Sequence, residues 1–126
     1  MDRALLSALH IGDTDRVKAL LEGGAVEARD GYGQTPLILA AVKGHGDIVD
    51  YLISRGAKLN VTAKHGMTPL MLASLNGHGD IVKSLLKAGA DQSPVAKGAP
   101  GYFGKTAEDL AATPAIGTLF CRPKAR

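Results

Sequence analysis

Gly33-Gln34-Thr35-Pro36-Leu37-Ile38-Leu39-Ala40-Ala41, followed by Gly44-His45-Gly46-Asp47-Ile48-Val49, decides the fold because the stretch occurs twice. Thirty-three places on, the chain reads Gly66-Met67-Thr68-Pro69-Leu70-Met71-Leu72-Ala73-Ser74 and then Gly77-His78-Gly79-Asp80-Ile81-Val82. Leu52, Gly56 and Ala57 return at the same offset as Leu85, Gly89 and Ala90. A fixed period of this length marks a chain built from stacked copies of one small unit, and it outranks any local propensity. Looking back 32 places, Leu37, Ala40, Gly44, Asp47, Val49, Leu52, Gly56 and Ala57 fall on Leu5, Ala8, Gly12, Asp15, Val17, Leu20, Gly24 and Ala25, a weaker first copy. Looking forward, Gly66 and Thr68 correspond to Gly104 and Thr106, 38 residues later, so an insertion lies between Gln92 and Phe103.

Each copy reads as two short antiparallel helices. Thr35 is a good N-cap, and Pro36 suits the first helical position, where its missing N–H removes no intrahelical bond. Leu37, Ala40 and Ala41 form one apolar face, and Gly44 supplies the permissive backbone that turns the chain. In the second helix Ile48, Val49, Leu52 and Ile53 form a stripe, Asp47 favours the positive end of the dipole, and Gly56 fits the left-handed position after the last turn. The same pattern spans Thr68 to Gly89. Ala40 and Ala73, small where bulk is expected, allow helices to approach closely. Near the C-terminus Thr106 is predicted to cap a helix over Ala107 to Ala112. Thr113 is predicted to cap a brief last one, with Ile116, Leu119 and Phe120 turned inward. A single helix pair cannot bury its stripe, so the copies are expected to stack into one elongated core, with a polar outer face on the first copy and a shortened last one.

The Thr-Pro-Leu and Gly-His-Gly-Asp-Ile-Val motifs, with the Gly-Ala that closes each copy, resemble ankyrin repeats over nearly the whole chain. The resemblance implies an all-α, ankyrin-repeat solenoid of stacked antiparallel helix pairs with hairpin-like loops. Repeats are expected at about 1–33, 34–66, 67–103 and 104–120, with a basic tail at 121–126. The layout is similar to that of small four-repeat proteins of the family that regulate other proteins by binding them. One departure is that the histidine common after Thr-Pro-Leu is Ile38 in one copy and Met71 in the other. Apolar contacts are expected in place of its hydrogen bond. The turn after Gly24 is one residue short, and the one after Gly89 is expected to be long and mobile.

The resemblance implies no cofactor and a noncatalytic role in protein–protein interaction through a concave face made by hairpin tips and exposed positions of the first helices. By motif alignment those positions are Arg29, Tyr32, Gln34, Val42 and Lys43, then Thr62, Lys64, His65, Met67, Leu75 and Asn76, with Tyr102 and Lys105 extending the row. Tyr32 stands out, since tyrosine offers a rigid apolar ring with a polar tip. The partner is expected to be another protein with an acidic face, and the chain a monomer.

Composition bounds these expectations. The 126 residues are one domain's worth, with 45% hydrophobic and 21% charged residues, near the averages for globular chains. No apolar run approaches the roughly 18 residues needed to cross a bilayer, so no membrane association is expected. A single cysteine, Cys121, excludes an internal disulfide and fits a reducing, cytoplasmic setting. The net charge of +3 comes from Arg122, Lys124 and Arg126, leaving a neutral body whose residues 55–105 hold seven Lys or Arg against two Asp or Glu. That stretch, with Lys58, Lys64, Lys83, Lys87, Lys97 and the tail, carries the alternative reading of a nucleic-acid-associated protein. The scarcity of aromatics, three Tyr, two Phe and no Trp, argues against it.

Enzymatic chemistry finds little footing. His45 and His78 occupy equivalent places in neighbouring copies, too far apart for joint metal coordination, and no histidine has a second one a helical turn away. Structural roles at the helix entrances are expected for both. Cys121 lies beside Arg122 and Lys124 without a base. Glu108 and Asp109, adjacent in sequence, diverge around a helix. The glycines recur at turns and lack a phosphate-binding fingerprint.

Overall fold

The computed structural model describes residues 3–22, 24, 26–97 and 104–120. Among them there is no strand. Seven α-helices follow one another: α1 (Arg3–Ile11), α2 (Thr14–Leu20), α3 (Pro36–Lys43), α4 (Gly46–Ser54), α5 (Pro69–Leu75), α6 (Gly79–Lys87) and α7 (Pro114–Gly117), with a 3-10 turn at Lys64–Gly66. The helices pair as α1–α2, α3–α4 and α5–α6. First helices stack on first helices (α1 on α3 on α5) and second on second (α2 on α4 on α6 on α7), which makes two layers.

The caps are those read from the sequence. Thr35 Oγ1 accepts from Ile38 N–H at 3.4 Å and Thr68 Oγ1 from Met71 N–H at 3.2 Å, both threonines being buried. Pro36 and Pro69 follow at the first helical position. Gly44 closes α3 at φ 83, a left-handed conformation that a side chain would strain. Helices of four to nine residues are too short to persist alone, so packing must hold them. The packing is one continuous cluster running from Leu5 and Leu9 through Leu37, Ile48, Val49 and Leu52 to Leu70, Ile81, Val82 and Leu85. Ala40 and Ala73 are fully buried within it. Ile38 and Met71 are buried too, apolar where the family's histidine stands.

Polar ties cross the helix pairs at the repeat period. Glu27 Oε2 accepts from Lys58 N–H at 2.7 Å, and Asn60 Oδ1, 33 residues on, accepts from Asp91 N–H at 2.8 Å. His45 and His78 begin α4 and α6 without capping them. Their rings reach back instead, Nε2 lying 3.3 Å from the carbonyl of His10 and 3.2 Å from that of Val42. A carbonyl only accepts, so each Nε2 carries the proton. The structural role expected for these histidines is thus a tie to the preceding helix pair.

Two local expectations are corrected. Residues 107–110 form a single turn rather than a helix reaching Ala112. Thr106 does cap it, reciprocally with Asp109 at 3.0 and 3.3 Å, but Ala112 N–H donates to Ser74 O at 2.9 Å and leaves the helical path. Ser74 Oγ also donates to Ala107 O at 2.7 Å, so the last unit is fixed to α5 by polar bonds. Thr113 caps α7 as expected, with Ile116 and Phe120 buried and Leu119 half-buried. In the first unit Leu21, the C-cap of α2, is fully buried and Leu20 half-buried, so the buried place aligned with Leu52 falls to Leu21 rather than to Leu20. The tail at 121–126 and Cys121 lie outside the described residues.

Candidate functional site: the hairpin tips and first-helix ends

Three loop tips precede α3, α5 and the 107–110 turn, each closed by backbone bonds across its neck. Asp30 N–H donates to Gln34 O at 3.0 Å, Ala63 N–H to Met67 O at 2.8 Å, and Ala96 N–H to Lys105 O at 2.9 Å. The first two closures enclose three residues and the third encloses eight, so the five-residue insertion sits inside the third tip. Residues 98–103 of that tip, Tyr102 among them, lie outside the described residues.

In the first tip the Asp30 carboxylate accepts from the N–H groups of Tyr32 and Gln34, both at 2.9 Å. This local bonding fixes the turn without using the Tyr32 ring, and the residue is 81% exposed. Gln34 is half-buried beneath it. Arg29 is exposed, and its guanidinium donates to Gly33 O at 2.5 Å and to Thr62 O at 3.4 Å. It therefore ties the first tip to the start of the second.

Lys64 and His65 are exposed at the apex of the second tip, where His65 adopts φ 66 and ψ 20. Thr62 is exposed as well. Met67 is a correction: only 6% exposed, it belongs to the core and offers a partner no surface. Its carbonyl accepts from Ala63 N–H at the neck of the tip, while its side chain packs in the core. Lys105 is exposed opposite Ala96.

The helix-end positions divide. Lys43 and Asn76 are exposed, though the Asn76 amide donates to Leu72 O at 2.7 Å and so caps α5. Val42 and Leu75 are half-buried, Leu75 against the core, and the Val42 carbonyl holds His78. One neighbour was missed. Ile11, 73% exposed, ends α1 in the register of Lys43 and Asn76, and the 32-residue offset was the signal that could have found it. It lines an open cleft with Arg3, Ala4, Ser7 and Arg16.

The cations invoked for nucleic acid do not share one surface. Lys83 and Lys87 lie on α6 in the second-helix layer, whereas Lys64 and Lys97 lie on the tips. Among the described residues no group of three His, Cys, Asp or Glu side chains could hold a metal ion, and no helix is long and apolar enough to cross a membrane.

Comparison with known proteins agrees with this geometry. The family profile for ankyrin repeats, in three copies, matches residues 4–96. Protein fem-1 homolog A of Bos taurus is 46% identical over 50 residues, which is 40% of this chain and 8% of that protein. The Homo sapiens protein of the same name gives the same identity and coverage, and protein fem-1 homolog A-like of Mus musculus is 44% identical over 50 residues, again 40% and 8%. The chain therefore aligns with about 8% of the length of these curated relatives. Helix pairs stacked in two layers, tips joined to the first helices and a profile covering most of the chain lead to one conclusion: the chain belongs to the ankyrin repeat family.

Proposed function

We propose that this chain is a noncatalytic interaction module that holds a partner protein on the face formed by its loop tips and the exposed ends of α1, α3 and α5. It acts as a monomeric regulator or scaffold in the cytoplasm, and its partner presents an acidic face. The observation that carries the reading is Tyr32: a large aromatic residue 81% exposed on a tip whose turn is fixed by Asp30 and tied sideways by Arg29. Anchoring residues of protein interfaces are enriched in tyrosine. A preformed tip also loses little conformational freedom on binding.

Lys43, Asn76 and Ile11 extend the surface along the helix ends, about 12 Å from the tips by the rise of an eight-residue helix. The test is affinity purification from cell extract with the wild-type chain and with Tyr32→Ala combined with Leu75→Ala. Partners of this face are lost by the double variant, and recovery of the same proteins by both baits refutes the assignment.

A further inference from the structure

The second and third tips are joined. Lys97 N–H donates to His65 O at 2.6 Å, and the Lys97 methylene stem passes 3.4–3.6 Å from where a Cβ on Gly66 would stand. His65 is the residue other than glycine that adopts positive φ among the described residues. Such a conformation costs on the order of 1–2 kcal/mol, and here it aims the carbonyl that receives Lys97. The first tip has no such conformation at Tyr32, the residue equivalent to His65.

Joining the tips brings together Lys64, His65, Lys97 and Lys105, all exposed. No Asp or Glu occurs among described residues 61–67, 92–97 and 104–107. The acidic groups nearest in sequence already have partners. Asp91 accepts from Ser93 N–H and Oγ–H at 2.9 and 2.8 Å, Asp109 from Thr106 N–H, and Glu108 has a partner of its own. Three permanent cations on two tied loops repel one another, and the fold supplies no counter-charge among the described residues of these tips. An anionic ligand relieves that repulsion and is steered towards it.

We propose that Lys64, Lys97 and Lys105, where the second tip meets the neck of the third, form a docking site for an extended, carboxylate-rich segment of a partner protein and pair its acidic side chains. The inference rests on the reading of the chain as a protein-binding module and gives that partner its chemistry. Carboxylates fit better than a nucleic acid. Neither tip carries an arginine, whose planar fork pairs phosphates bidentately. Lysines serve as point charges on flexible stems and suit a segment without fixed spacing. Exposed pairs of this kind are individually weak, so binding depends on several together and falls with salt.

The test uses the whole chain with two fluorescent probes of equal charge, an octaglutamate peptide and a single-stranded oligothymidylate, titrated by anisotropy at low and high salt. The peptide is expected to bind at low salt and weaken at least tenfold at high salt. Binding is expected to fall at least tenfold in Lys64→Glu/Lys97→Glu/Lys105→Glu and severalfold in the milder Lys64→Gln/Lys97→Gln/Lys105→Gln. Lys83→Glu/Lys87→Glu on α6 is expected to leave it within twofold. Thermal midpoints of all variants check that they are folded. Absence of peptide binding, insensitivity to the tip lysines, or tighter binding of the oligothymidylate overturns the proposal. If the tip-reversed chain still captures cellular partners that Tyr32→Ala/Leu75→Ala loses, the general binding reading stands and the tip site falls.

Discussion

The imidazole of His78 stands over Gly44, its Cε1 2.7 Å from the position a Cβ there would take. His45 bears the same relation to Gly12 one unit earlier, at 2.6 Å. Both glycines have positive φ, so backbone and ring together exclude a side chain at these positions. Gly56 provides the comparison, with φ 78 and nothing within 4 Å. Gly56→Ala is expected to cost only the left-handed penalty, roughly 1–2 kcal/mol. Gly44→Ala is expected to cost about 1–3 kcal/mol more, through overpacking against the imidazole. Urea denaturation of both variants measures the difference, and combining Gly44→Ala with His78→Ala should recover part of it. Equal losses at the two glycines would mean that the ring contact contributes nothing.

Leu52 and Leu85 occupy the same place in successive second helices, both fully buried. Truncating either to alanine opens a cavity inside the stack, and the expected loss is about 2–5 kcal/mol. Losses below a kilocalorie in denaturant titrations would contradict the burial.

Thr68 is nearly inaccessible and gives its oxygen to Met71 N–H. Thr68→Ala strands that donor and is expected to cost about 1 kcal/mol, whereas Thr68→Ser keeps the cap and should cost less. Thermal unfolding of the pair separates the lost hydrogen bond from the lost methyl group.

The Asp91 carboxyl lies below the ordinary aspartate range because Ser93 N–H and then Ser93 Oγ–H bond its ionised form, outweighing a small opposing effect of desolvation. With the folded pKa depressed, the stabilisation is present above the unfolded pKa and is lost as pH falls through the folded value. Ser93→Ala removes one donor and should move the Asp91 titration upward, read by carboxyl NMR. An unmoved titration would show that the hydroxyl bond is not formed in solution.

Tyr32→Ala should leave the unfolding midpoint nearly unchanged, since a surface substitution of this kind stays within about 0.5 kcal/mol. Its effect is expected on partner affinity, at about tenfold or more. A stability loss without an affinity loss would make the ring part of the fold rather than of an interface.

The stack was legible because its determinants are local and repeated. Thr-Pro openings, glycines at turn positions and apolar stripes each carry a conformational reason that the 33-residue offset checks in the next copy. What escaped depended on long-range bonds. Ala107 to Ala112 has helical composition, but Ser74 holds both Ala107 and Ala112 and leaves room for one turn. Met67 aligns with tip residues, but it stands at the neck, paired with Ala63, and its side chain packs in the core. Of the proposed face, the exposure of Tyr32, Lys43 and Lys64 matched motif register, whereas the commitments of Arg29 to Thr62 and of Asn76 to Leu72 required coordinates.

The surplus of five residues falls between Ala96 and Lys105, beyond a closed neck, and so adds nothing to the spacing of the helices on either side. Ala112 N–H still finds Ser74 O, its counterpart 38 residues earlier, a separation equal to the repeat period plus the five-residue surplus. Evolution, or an engineer, can therefore lengthen, shorten or rewrite that tip as a cassette while the framework keeps its register.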